Sequence, residues 1–331
     1  MAKGIWSPRL QKWLSLCGLV TTTLLPCLLI SFLFSVPIWY GVSCQLAVFV
    51  VNTLFFLRKF SYPFNTQLES EQKLLNEPDL VSIFAEHAAR AQIHDVTLLL
   101  DKVSNPRCDS LSWPYANSVS MSNGMLALYR KGFPKKTLAA IFSHELTHIK
   151  NEDSAARLVS WLCKSAITLE SHLFLVSGLI LGACLAGGFL LGFSFSGLMT
   201  LVLPLFCSTL GLQLLTQLNQ LLYQKLTHAL EFMADEGAVE LTKDPLSAAL
   251  MTFEIHFYSL GNTYHPMAKE YFKRLKDMAK SHNIPTGEIY RQTLHTEQTS
   301  DNLITHPLDN TRYQVIKDAY PEAFKNLPKI R

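Results

Sequence analysis

The sequence predicts a mainly α-helical chain with a small β-sheet, interrupted by two hairpins of membrane-spanning helices. Three observations predict it. First, the composition is apolar: of 331 residues, 49% are hydrophobic and only 17% charged, against about a quarter charged in an ordinary soluble domain. Second, the missing charge is concentrated in two blocks, Trp13 to Leu57 and Ser171 to Gln224, which hold no Asp, Glu, Lys or Arg. Third, the remaining sequence carries mostly helical periodicity, with short alternating stretches only between the blocks.

The first block divides near Ser35-Val36-Pro37, into helices expected at about 13–34 and 38–57. Roughly 20 apolar residues cross a bilayer core, so the block suits a hairpin. It opens as a signal peptide does, after Lys3, Arg9 and Lys12. Its apolar stretch runs well past a signal's h-region and into a second helix, so a retained anchor is expected. The second block divides near Phe193 to Gly197, into helices expected at about 171–192 and 197–218. A buried hairpin of a soluble protein is the plain alternative. The glycines Gly178, Gly182, Gly187, Gly188 and Gly192 suit close packing of membrane helices. Lys3, Arg9, Lys12, Arg58 and Lys59 flank the first hairpin, and Lys164 and Lys225 the second. The positive-inside rule therefore places both termini and the polar parts in the cytoplasm.

Four segments follow: an N-terminal hairpin, 1–59; a polar part, 60–170; the second hairpin, 171–224; and a second polar part, 225–331. Glu77 to Ala91 reads as a helix. Val96 to Leu100 is an apolar run left unassigned, and Asn117 to Met121 alternates like an exposed strand. Residues 137–164 read as one long helix and 225–242 as another. Asp244-Pro245 then breaks the chain and caps a helix at about 246–260. The tail, 266–331, is charged and helical in pattern.

The net charge of +3 is small, and no basic run with interleaved aromatics suggests nucleic acid as a partner. The seven cysteines form no CxxC. Most lie in the apolar blocks, as reduced small apolar residues would.

The chemistry centres on His144-Glu145-Leu146-Thr147-His148, an HExxH sequence. On a helix, residues i and i+4 share a face, so both imidazoles reach one ion. Glu145 stands beside them, where it can take a proton from a metal-bound water and return it to a leaving amine. By average composition, HExxH arises by chance in about one chain in a hundred of this size. Catalytic zinc needs a third protein ligand and an open position. Glu231, beyond the second apolar block, is the candidate, and a membrane hairpin that leaves and returns on one side accounts for its distance. Glu152, Asp153 and Glu236 compete. Glu152 and Asp153 lie too close to His148 on one helix and suit supporting roles, and Asp235 can hold the other nitrogen of a ligand histidine.

These features resemble the HtpX-type membrane zinc endopeptidases, relatives of the type I CAAX prenyl protease. The resemblance rests on the N-terminal hairpin, HExxH, Asn151 and Asp153, the second hairpin, Glu231 with Asp235, and Thr305-His306-Pro307 followed by Arg312. It implies a zincin-like (gluzincin) fold and one zinc ion per chain held by His144, His148 and Glu231. It implies that His306 stabilises the tetrahedral intermediate and that Arg312 orders the site. It also implies cleavage of polypeptides, including misfolded membrane proteins, at the cytoplasmic face of a bacterial inner (plasma) membrane. The chain departs from the family at Thr227-His228, where Ser-Arg is common, and at Tyr115-Ala116-Asn117, where an Asn-Ala-Phe-like strand is common. Substrate binding is expected at Ala116 and Asn117, with main-chain pairing along Ala116 to Met121. A narrow processing protease is the second enzymatic reading. A zinc-stabilised inactive scaffold is the non-enzymatic one, although a scaffold has no use for Glu145.

Overall fold

The computed structural model describes residues 7–35, 37–60, 77–113, 116–190, 195–261, 266–293 and 309–327. Helices dominate, with one three-stranded sheet. The chain forms two units. One comprises Leu10–Tyr62 and Ala156–Leu226; the other comprises Met1–Arg9, Pro63–Ala155 and Thr227–Arg331.

The first unit is built from α1 (Pro8–Phe34), α2 (Ile38–Phe60) and the unit's share of two long helices, α6 (Asp153–Leu190) and α7 (Phe195–Thr242). α1 and α7 run antiparallel in close contact. Gly18 faces Leu222, Asn219 donates to the Thr22 hydroxyl at 3.2 Å, and Gly211 faces Leu29. Small residues at two of these levels let the helices approach, as in bundles packed within lipid. α6 joins through Ser171, whose hydroxyl accepts from Gln213 on α7 at 2.8 Å. By length and composition, one stretch among the described residues, Asp153–Cys184, suffices to cross a membrane. Large apolar side chains stand exposed along α1, α2, α6 and α7, among them Leu24, Phe32, Leu46, Leu179 and Leu214.

The second unit holds the sheet. β1 (Val96–Asp101), β2 (Cys108–Trp113) and β3 (Ala116–Ser122) lie in the order β1-β3-β2, with β1 parallel and β2 antiparallel to β3. Alternation sorts the faces: Val119 and Met121 of β3 turn inward with Leu98 and Leu100 of β1. Against them pack α3 (Pro78–Ala91) and α5 (Lys135–Lys150), joined by the edge-to-face pair Phe84–Phe142 at 5.4 Å. α4 (Asn123–Arg130) starts where the Ser122 hydroxyl caps the Met125 amide at 3.1 Å.

Two expectations are corrected. The strand at Asn117 to Met121 is not an exposed edge. It is central, with Asn117 paired to Val96 on one side and Ser112 on the other. From Asn117 on, its main chain is paired on both sides, while Ala116 pairs with Trp113 of β2 alone. The helix expected at 137–164 is two helices. α5 ends at Lys150, Glu152 adopts a left-handed backbone with φ 54°, and α6 begins at Asp153. On one continuous helix, residues five apart diverge around the axis by about 140°. The break brings Asp153 back to His148.

The C-terminal helices are α8 (Pro245–Gly261), α9 (Pro266–His282), α10 (Thr286–Thr293) and α11 (Asp309–Ala319), followed by a 3-10 turn at Pro321–Phe324. Asp244 caps α8 by accepting from the Ser247 amide at 3.0 Å. The buried Glu254 carboxylate of α8 accepts from the Thr286 hydroxyl and from the Gly287 amide at 2.8 Å, tying the start of α10 to α8. Tyr313 of α11 packs edge-on against Phe253 of α8 and Phe324 of the turn. This anchoring fixes the adjacent Arg312.

Candidate metal centre

α5 is amphipathic only in part: from Thr137 to Ile149 every residue is buried, including His144, Glu145 and His148. Burying so many polar groups requires partners, and α7 supplies them. Gly237 makes the approach possible, because a Cβ there would collide with the Thr147 side chain. Thr147 is itself held, its hydroxyl donating to the Ser143 carbonyl at 2.7 Å.

This contact aligns Glu231 and Asp235, one turn apart on α7, with the two histidines. His144 Nε2 lies 3.4 Å from Glu231 Oε2, and His148 Nε2 lies 3.6 Å from Glu231 Oε1. The two Nε2 atoms are 3.2 Å apart. Four-coordinate zinc with bonds of about 2.0–2.2 Å places neighbouring donor atoms roughly 3.3–3.6 Å apart. His144, His148 and Glu231 therefore fit a tetrahedral ion as three of its ligands, all buried, and they are the group among the described residues that could hold a metal ion. Glu152 and Glu236 are exposed, and Asp153 is otherwise engaged.

The far sides of both imidazoles are held. His148 Nδ1 meets Asp153 Oδ2 at 2.8 Å, and His144 Nδ1 meets Asp235 Oδ1 at 3.0 Å. A carboxylate on Nδ1 fixes the tautomer that presents a bare Nε2 to a metal. Asp235 is gripped from its other side by Arg312, through Nε at 2.8 Å and Nη2 at 2.5 Å. Arg312 Nη1 also stands 3.7 Å from Glu231 Oε2.

The electrostatics follow from this chain. Burial alone would lower the basicity of His144. The carboxylates of Asp235 and Glu231 outweigh it and lift its pKa from 6.5 to about 9 in the metal-free protein. Burial would raise the pKa of Asp235, but the Arg312 guanidinium and His144 hold it below the usual range. Burial would lower that of Arg312, but Asp235 and Glu231 raise it further, so Arg312 stays charged.

Of the residues singled out in the sequence, the structure gathers His144, Glu145, His148, Asp153, Glu231, Asp235 and Arg312. Ala116 and Asn117 sit on the central strand, while His306 and Tyr115 lie outside the described residues. Sequence reading missed β2. It is the outer strand on the side of α5, against which it packs. The Ser112 amide points away from β3 and donates to the Ser154 hydroxyl at 3.0 Å, next to Asp153. Cys108 lies near enough to Glu145 to feel its charge, and burial followed by that charge pushes its thiol well up. The signal available was weak, because Cys108-Asp109-Ser110-Leu111-Ser112-Trp113 carries few of the β-branched residues that announce a strand.

No curated protein and no solved structure matches the chain. The Peptidase family M48 model matches residues 75–320, which include every ligand and supporting residue of the centre. The chain belongs to Peptidase family M48 and is a metallopeptidase.

Proposed function

We propose that this protein is a zinc endopeptidase of the HtpX type, anchored in a membrane by two helical hairpins, that cuts polypeptides at the cytoplasmic face. The observation that carries the proposal is the spacing of the three donor atoms of His144, His148 and Glu231, which suits one tetrahedral ion with a position left for water.

Zinc held there supplies a Lewis acid for the scissile carbonyl and a water of lowered pKa. Glu145, next to His144 on the buried face of α5, would be the residue that takes up a proton and returns it to the departing amine. Asp153 and Asp235 keep the two imidazoles oriented, and Arg312 keeps Asp235 ionised. The resemblance assigns His306 to the developing oxyanion. The outward edge of β2 is the element suited to align an extended substrate beside α5, since β3 is paired on both sides. Main-chain pairing at an edge accepts many sequences, which supports quality control of misfolded polypeptides, membrane proteins among them.

Anchoring is supported by the stretch Asp153–Cys184, by the exposed apolar side chains of α1, α2, α6 and α7, and by the basic flanks of both apolar blocks. Purified protein assayed on casein should lose activity with chelator and regain it with zinc. Cleavage indifferent to chelation would contradict the proposal.

A further inference from the structure

α9 carries a stripe of lysines that no acid among the described residues neutralises. Lys269, Lys273, Lys276 and Lys280 recur at intervals of four, three and four, which on a helix gathers them within about 60° of one another. All four are exposed. Lys276 lies over the Phe272 ring at 5.8 Å, Glu270 is taken by Arg274 at 2.7 Å, and Asp277 stands on the adjoining face. The helix holds five lysines and arginines against two acids, an excess equal to the whole chain's net charge of +3. Elsewhere in the same unit exposed cations find acids, as Lys135 finds Asp79 at 2.6 Å and Arg130 finds Glu77 at 2.7 Å. The stripe is held facing outward, because Leu275 and Ala279 are buried and Phe272 packs on Phe257 of α8 at 4.7 Å.

Helix stability does not account for the pattern. Like charges three and four residues apart repel. Lys269 stands near the positive end of the helix dipole, where cations are disfavoured, and only Lys280, in the last turn, gains from it. The counter-charge is therefore external, and the lysines define its chemistry. Each is a compact charge on a flexible stem, suited to mobile, scattered anions rather than to one rigid carboxylate. Lysine is depleted at protein interfaces. The exposed apolar side chains of the helix, Met267 and Tyr271, lie off the stripe and give a protein partner no anchor within it. We infer that the lysine stripe of α9 rests on anionic phospholipid headgroups, as a second membrane contact made by the unit that carries the metal centre. This rests on the membrane-anchored reading above, since anchoring supplies the surface and the cytoplasmic leaflet is anionic.

The test uses the full-length protein in nanodiscs of phosphatidylcholine, alone or with about one third phosphatidylglycerol. A brief pulse of an amine-acetylating reagent, read by mass spectrometry, reports the exposure of each lysine. Lys269, Lys273, Lys276 and Lys280 should label about fivefold more slowly in the anionic discs, the factor that attraction of one lysine to such a surface gives. Lys131 and Lys325 of the same unit should keep their rates. The protection should vanish at about 1 M salt, where the Debye length is about 3 Å. Lys273→Gln with Lys276→Gln, exposed changes that spare the fold, should restore fast labelling of Lys269 and Lys280. Equal rates in the two kinds of disc, or slowing shared by Lys131 and Lys325, would overturn the inference. So would protection that appears only when poly-glutamate is added, which would assign the stripe to an acidic polypeptide. Retention of the chain by discs of phosphatidylcholine alone reports the anchoring by itself, so retention without protection counts against this inference and not against the membrane reading.

Discussion

Arg312 grips Asp235 through two nitrogens, Nε at 2.8 Å and Nη2 at 2.5 Å, and Asp235 in turn faces His144 Nδ1 at 3.0 Å. Arg312 on α11 thereby reaches His144 on α5 through Asp235. Replacing Arg312 by Ala leaves Asp235 and Glu231 buried without their cation. Removing one partner of a buried pair costs about 3–5 kcal/mol, so Arg312→Ala should unfold at markedly lower denaturant concentration. Arg312→Lys keeps charge without the fork and should fall between. Equal midpoints for all three proteins would show that the contact does not matter.

Asp153 acts on His148 as Asp235 acts on His144. Asp153→Asn keeps the size of the side chain but loses the charge that favours the metal-binding tautomer. Zinc affinity should fall about 10–100-fold, read by competition with a chromogenic chelator. The fold should persist, because the backbone break at Glu152 does not depend on that charge.

Gly237 is where α7 meets Thr147 of α5. Gly237→Ala places a methyl group in occupied space, and overpacking of this kind costs about 1–3 kcal/mol. The displacement acts on the helix that carries Glu231, so zinc affinity should fall together with stability. Stability lost without any change in zinc binding would mean that α5 yields rather than α7.

The raised pKa of His144 fixes a pH dependence for the metal-free protein. Its folded value of about 9 exceeds the ordinary 6.5. Its contribution to stability is therefore complete below pH 6.5 and lost as pH rises through 9. Zinc requires the neutral ring, so affinity should rise over the same interval, with proton release on binding near pH 7.5. Calorimetry in buffers of different ionisation enthalpy measures that release; none at pH 7.5 would contradict the electrostatics.

The grouping of His144, His148 and Glu231 is legible in the sequence because it is written in spacing. HExxH needs only one helical turn, and Glu231 with Asp235 needs another. Asp153 was legible as a supporting residue, but its reach was not, since it depends on a left-handed Glu152 that no local pattern announces. The sheet was harder. Asn117 to Met121 alternates polar and apolar as an edge strand does, yet its main chain is paired with both β1 and β2. β2 itself, rich in serine, carries little strand signal, so the outer strand beside α5 is not legible in the sequence. Pairing order is a long-range property, and the alternation of one strand does not encode it.

The central claim is that His144, His148 and Glu231 hold one zinc ion on which Glu145 acts. Zinc content per chain, measured by mass spectrometry alongside casein cleavage in Glu145→Gln and Glu231→Ala, tests it most directly. The account predicts about one zinc and a loss of about 10²–10⁴-fold in rate for Glu145→Gln, and neither zinc nor cleavage for Glu231→Ala. Full zinc occupancy in Glu231→Ala, or wild-type cleavage by Glu145→Gln, would contradict it.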